Sequence, residues 1–358
     1  MKRVFFYVVI AIISSCADST EKETILFRAP KNTTALEELI IRAEFYPLQT
    51  EKAPVVGADP QLSVLQDGSF VVLSRGKHPI LHFAPNGKYL NTIGSQGSGP
   101  GEYLEICNIQ IRGNMIVVFS IPDKVLYFES SGQLVREERS IPQGTQSFLV
   151  PEGILSYYGF GSGRDWRVSL WNKDNSEMHY LPTKANVIHL TAGAPLFSEH
   201  NTDVFFTDAY NPTIYRYGKG EVSPYLTFDF GKYAIQKDFF ESEDAFESME
   251  QLLSGEFAII QRYLENDNYQ LVEVFMQSPT DLKDYYGIKR HGDWIWVSAG
   301  NKYDSPFFHA IQWLDEEAMY CLVEPSRLVC EEGVFSDFTA KHTLGDSDNP
   351  VVVKLYLK

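Results

Sequence analysis

From residue 60 onward the chain repeats one pattern. Two short apolar runs flank a tight turn, a polar loop follows, then an aromatic-rich run, a second tight turn and a final strand. Such a period constrains the fold strongly, because each unit is a small sheet that must bury its faces on its neighbours. In the first unit, residues 62–64 lead through Gln66-Asp67-Gly68 to 70–73. A loop at 75–78 follows, then 80–83, the turn Pro85-Asn86-Gly87-Lys88, and 89–93. Asp-Gly and Asn-Gly supply the positive φ angles that tight hairpins need. The second unit runs 109–111, 115–119, 125–128 and 134–138. The third is looser, with strands near 148–150, 154–158, 166–171 and 178–181. The fourth spans 196–230. A fifth is expected at 285–289, 294–298, 307–313 and 319–323. Residues 39–48 and 351–357 are clear strands without units of their own.

The period of two fails between 238 and 266. Phe246, Met249 and Leu253 stand at i, i+3 and i+7 among Glu241, Glu243, Asp244, Glu247 and Glu250, the pattern of an amphipathic helix. Gly255 ends it, and 257–264 is expected to form a second helix. Five units of four strands with orphan strands at both ends predict an all-β fold, a six-bladed β-propeller with a small helical insertion at about 235–267. A ring of blades leaves only short, protected edges. The sixth blade is expected to combine the C-terminal strands with the N-terminal strand near Ile40.

The first residues read as an address. Lys2 and Arg3 precede an apolar run over 4–13 that spans about 15 Å as a helix, half of a bilayer core of about 30 Å. It is too short to cross and fits a signal peptide over 1–15. Ile13-Ser14-Ser15-Cys16 resembles the lipobox of bacterial lipoproteins, which implies a lipid on Cys16 and a polar, flexible tether over 16–35. The propeller is then expected over 36–358. Removing Lys2 and Arg3 would take the formal charge from −16 to −18. Either value argues against nucleic acid, whose phosphates need a basic footprint.

Residues 93–103, Ile-Gly-Ser-Gln-Gly-Ser-Gly-Pro-Gly-Glu-Tyr, resemble the inter-blade run of NHL-type repeats. With the lipobox, the chain resembles the six-bladed β-propeller lipoproteins of Bacteroidetes. Asn211-Pro212-Thr213-Ile214-Tyr215 is similar to a strand opening of that group, with Pro212 in place of an Asp. Asp348-Asn349-Pro350 before 351–353 is similar to its closing strand. The resemblance implies a cell-envelope location, anchored at the outer membrane on its periplasmic or surface face. It carries over no catalytic residue.

Chemical motifs are sparse. Residues 94–101 lack the Gly-Lys-Ser/Thr of a phosphate loop, so they read as a tight turn. There is no CxxC and no Gly-x-Ser-x-Gly elbow. Cys107 reads as a buried free thiol. Cys321 and Cys330 either pair across a turn or remain unpaired. No cofactor and no metal is expected from spacing, although His78, His82, His291 and His309 lie far enough apart to converge at a propeller axis. The loops between second and third strands should share one rim. They supply the candidate ligand-binding residues Arg75, Lys77, His78, Arg164, Trp166, Asp208, Tyr210, Asn301 and Tyr303, a charged and aromatic set suited to a glycan or peptide. The function expected is non-catalytic recognition of a glycan, peptide or protein partner. The alternative is a metal-dependent lyase or hydrolase working at the central tunnel.

Overall fold

The computed structural model describes residues 23–27, 34–76, 78–139, 141, 143–159, 162–174, 176–183, 197–235, 250, 252, 254–302, 305–328 and 333–358. Six antiparallel four-stranded sheets form a ring. Blade I holds Gln61–Val64, Phe70–Leu73, Ile80–Phe83 and Tyr89–Ile93. Blade II holds Glu105–Arg112, Met115–Ile121, Lys124–Glu129 and Leu134–Glu138. Blade III holds Gln146–Leu149, Gly153–Tyr157, Trp166–Asn172 and Glu177–Pro182. Blade IV holds Phe197–His200, Asp203–Thr207, Thr213–Gly218 and Glu221–Asp229.

Blade V departs from the sequence reading. It consists of Phe257–Glu265, Gln270–Ser278, Asp281–Lys289 and Ile295–Asn301. The expected second helix at 257–264 is thus the innermost strand of this blade. Its alternation is broken by a bulge between Ile260 and Arg262, which hides the period of two. Of the first expected helix, 236–249 lies outside the described residues, while Glu250, Leu252 and Ser254 are helical. The expected fifth unit was therefore the outer half of blade V joined to the inner half of blade VI. Blade VI is Ile311–Leu314, Met319–Val323, Val351–Leu357 and, outermost, Ile40–Pro47. Val353 pairs with Phe45, so the two ends of the chain close the ring as expected.

The core lies between blades. Buried apolar clusters join I with II, II with III, III with IV, IV with V, V with VI and VI with I. Inner strands are stitched by side-chain amides. Asn108 Oδ1 accepts from Ser147 N at 2.9 Å while its Nδ2 donates to Ser147 O at 2.7 Å. Gln110 does the same with Leu149, and Gln312 accepts from Leu62 N at 2.6 Å and donates to Pro60 O at 3.0 Å. Each amide offers a donor and an acceptor where strands radiating from an axis are too far apart for a backbone ladder.

The stretch expected as a free tether is partly docked. Glu23–Leu26 adds a parallel fifth strand to the outer edge of blade IV, and Thr34–Ala35 does so on blade V. Phe27 buries its ring between Phe230, Tyr285 and Trp296, at centroid distances of 5.4, 5.6 and 4.8 Å. Among the described residues no helix is long and apolar enough to cross a membrane.

The glycine-rich run between blades I and II is a structural linker. Gly99 N donates to Glu102 Oε2 at 2.8 Å, and Gly101 N to Glu137 Oε2 at 2.8 Å. Buried Lys124 donates to the carbonyls of Ser98, Gly99 and Glu102 at 3.3, 3.0 and 2.8 Å. The loop's amides are thus occupied by the protein's own carboxylates. Gly94 has φ +64°, and a Cβ there would sit 2.8 Å from Phe128 and 2.9 Å from Tyr103.

Candidate functional site

In each blade, the connection between second and third strands and the connection to the next blade emerge on the same face of the ring. A cavity of about 430 Å³ opens there, off the axis, where blades V, VI and I meet. A narrower channel of about 150 Å³ runs along the axis, lined by residues from all six inner strands. Arg262 borders both.

Blade V builds the cavity floor. The bulge at Gln261 shifts the alternation by one residue, so Tyr263 joins Ala258 and Ile260 on the face toward blade IV while Arg262 is turned to the opposite face, toward blade VI. Arg262 is 5% exposed and faces Glu273, 1% exposed, directly across the neighbouring strand. Its Nε lies 3.4 Å from Glu273 Oε2 without hydrogen-bond geometry. Asp284, fully buried, sits at a second bulge, in the third strand. His309 comes from the link between blades V and VI. It holds φ +52°, an uncommon conformation for a residue with a side chain. Asp284 stabilises that turn, accepting from His309 N at 2.7 Å. His309 Nδ1 then lies 2.5 Å from Glu273 Oε1 and 2.9 Å from Asp284 Oδ2.

Burial alone would lower the His309 imidazolium. The hydrogen bonds and charges of Asp284 and Glu273 outweigh it and raise its pKa to about 10. Burial raises Asp284 to about 6. Burial also opposes ionisation of Glu273, but the hydrogen bond from His309 prevails and holds it below its ordinary value. His309 at neutral pH is a cation that binds and donates, not a base that accepts a proton.

Glu273, Asp284 and His309 bring three ligand atoms within 4.8 Å of one another. The contacts from Nδ1 have the length of hydrogen bonds, and the Arg262 guanidinium already stands against Glu273. The donor set therefore fits a proton shared with His309 better than a dication, which Arg262 would repel.

The seven of the nine sequence-expected ligand residues that are described do not converge. Arg75 lines the cavity, with Nη1 3.3 Å from Asp59 Oδ2. Asn301 ends the outer strand of blade V. Its loop was expected between second and third strands; it is the link to blade VI, and it contributes Lys302 to the wall. His78 is exposed and packs over Gly57. Arg164 lies over the Tyr158 ring at 4.0 Å, and Trp166 stacks on His179 at 3.4 Å, both on blade III. Asp208 is 2% exposed and consumed by the fold, accepting from Tyr157 Oη at 2.9 Å and Arg167 Nε at 3.0 Å. Tyr210, with φ +62°, packs beside Leu252 and Phe257. Lys77 and Tyr303 lie outside the described residues, as do Cys16 and Cys330; Cys321 is a buried free thiol. Cys107, expected to be buried, is only partly so, and it is a free thiol whose Sγ donates to Phe119 O at 3.3 Å. The histidines do not meet at the axis: His82 is satisfied by Ser69 and Asn91, and His291 is exposed.

Arg262, Glu273, Asp284 and Arg327 were missed. A signal was present in Val272-Glu273-Val274, an acid inside an apolar strand run, which implies a buried partner.

The family model described as "Domain of unknown function (DUF4934)" matches residues 24–356. The chain belongs to the DUF4934 family. Two solved structures share the fold of this DUF4934 chain. A Bacteroides fragilis NCTC 9343 protein named "Putative exported protein" is 17% identical with a TM-score of 0.74, covering 94% of this chain and 99% of its own. A DUF4221 family member from Bacteroides vulgatus is 10% identical with a TM-score of 0.57, covering 89% and 97%. No curated protein matches the DUF4934 sequence.

Proposed function

We propose that this protein is an envelope-anchored lipoprotein that recognises a glycan, peptide or protein partner without catalysis. The observation that carries the reading is the 430 Å³ cavity, whose wall combines Arg75, Lys302 and Arg327 with Asp59, Glu324 and the apolar Phe275 and Phe308. Small-ligand sites have this size and mixture. His309, cationic at neutral pH, supports binding over general-base chemistry. Anchoring is supported by the lipobox-like Ile13-Ser14-Ser15-Cys16, and export by the name of the Bacteroides fragilis relative.

The test has two arms. Metabolic labelling with an alkyne fatty acid should mark the wild-type chain and not Cys16→Ala; equal labelling would defeat the anchor. Glycan and peptide arrays should give a hit that weakens in Arg327→Ala, with the hit recovered unaltered by mass spectrometry. Turnover of the bound compound would defeat the non-catalytic reading.

The second reading, a metal-dependent lyase or hydrolase, rests on the grouping of Glu273, Asp284 and His309. One tightly held divalent ion per chain, lost in His309→Ala, would support it.

A further inference from the structure

We infer that the corner of the cavity between Arg262 and His309 is a carboxylate-binding site, and that its ligand is a sugar acid, a pyranose ring bearing one carboxylate. The inference deepens the recognition reading and rests on it.

The Arg262 guanidinium makes no hydrogen bond among the described residues. Its one ionic contact, to Glu273 at 3.4 Å, lacks the geometry. A buried guanidinium with unfilled donors is costly, and a planar fork matches a carboxylate. The bulge that turns Arg262 toward blade VI disrupts its own ladder, a local cost that a binding role would offset. His309 supplies a second donor. Both carboxylates engage Nδ1, leaving Nε2–H without a protein partner among the described residues, and the side chain is 42% exposed.

Charge selects the class of anion. Among the described residues of the wall, the four cations Arg75, Arg262, Lys302 and Arg327 face the three acids Asp59, Glu273 and Glu324, leaving one positive charge. That suits a monocarboxylate better than a phosphate dianion or a polyanion. The rest of the wall suits a ring of hydroxyls. Asp59, Glu324 and Gln261 accept or donate to hydroxyls, and Phe275 and Phe308 offer a surface for C–H faces. The volume of about 430 Å³ lies at the small end of ligand sites, the scale of one or two sugar rings.

Titration calorimetry of the purified protein tests this with glucuronate and galacturonate. Their methyl esters, glucose, inorganic phosphate and an N-acetylated dipeptide with a free C-terminus are run alongside. A uronate should bind, and its ester and glucose should bind about ten- to a hundredfold more weakly. Arg262→Met should abolish the difference between acid and ester while its circular dichroism stays that of the wild type. Should that variant fail to fold, the Arg262 Nε–H resonance of the unmodified chain provides the readout, and it should shift on uronate addition. Equal binding of acid and ester, an unmoved Arg262 resonance, tighter binding of phosphate or the dipeptide, or loss of uronate binding to EDTA would each overturn the inference. A neutral glycan that binds wild type and Arg262→Met alike would remove this inference and leave the recognition reading standing. Turnover of a uronate with Arg262 dependence intact would do the reverse.

Discussion

Arg262 and Glu273 are cross-strand neighbours inside a sheet, and desolvating such a pair is repaid only when its remaining donors and acceptors are filled. His309 fills one side of Glu273 and binds Asp284 as well. Its pKa in the folded chain is raised from 6.5 to about 10, so its contribution to stability is complete below pH 6.5 and is lost as the pH rises through 10. The urea midpoint of the wild type should therefore fall between pH 7 and pH 10, and that of His309→Gln should fall less. Equal falls would show that the imidazolium is not held by the two carboxylates. Little of this was legible beforehand. Glu273 in an apolar run hinted at a buried partner, but Arg262 carried no such hint because its strand read as a helix. The pairing depends on a bulge whose presence no residue type announces.

Glycine-bearing turns made blades I and II plain in the sequence, since Asp67-Gly68 and Asn86-Gly87 admit few other conformations. Gly87 shows why: φ is +81°, and a Cβ would lie 2.1 Å from Pro47 O in the closing strand of blade VI. Blade V resisted the same reading. Bulges at Gln261 in its inner strand and near Asp284 in its third shift alternation by one residue, so the inner strand lost the period of two and read as a helix. The N-terminal strand on blade IV was also illegible, because Thr24-Ile25-Leu26 is short and gains its partner only from a distant blade. Its hold on the ring rests on Ile25 and Phe27, 6% and 5% exposed in the core between blades IV and V. Phe27→Ala should cost about 3 kcal/mol or more by removing that ring from its aromatic cage. Chemical denaturation would measure it, and a loss under about 1 kcal/mol would mean the strand is merely laid on the surface.

Closure of the ring joins residues about three hundred apart in sequence, and Asn349 is its rivet. Asn349 Oδ1 accepts from Val56 N at 2.7 Å, Nδ2 donates to Gln49 O at 2.8 Å and Pro54 O at 3.1 Å, and its own N–H donates to Thr50 Oγ1 at 2.8 Å. Deleting 351–358 would take the third strand from blade VI and leave Ile40–Pro47 without a neighbour. The truncated chain should lose its cooperative thermal transition altogether, whereas survival of a sharp transition would mean that five blades stand alone. The strand on blade IV has a consequence for how the whole ring is moored. If Cys16 carries the lipid we propose, seven residue steps separate the acyl chains from Glu23, a leash of at most about 25 Å. Blade IV would then be held within that distance of the bilayer. The opening shared by blades V, VI and I would be kept close to the membrane, within reach of molecules displayed on that surface.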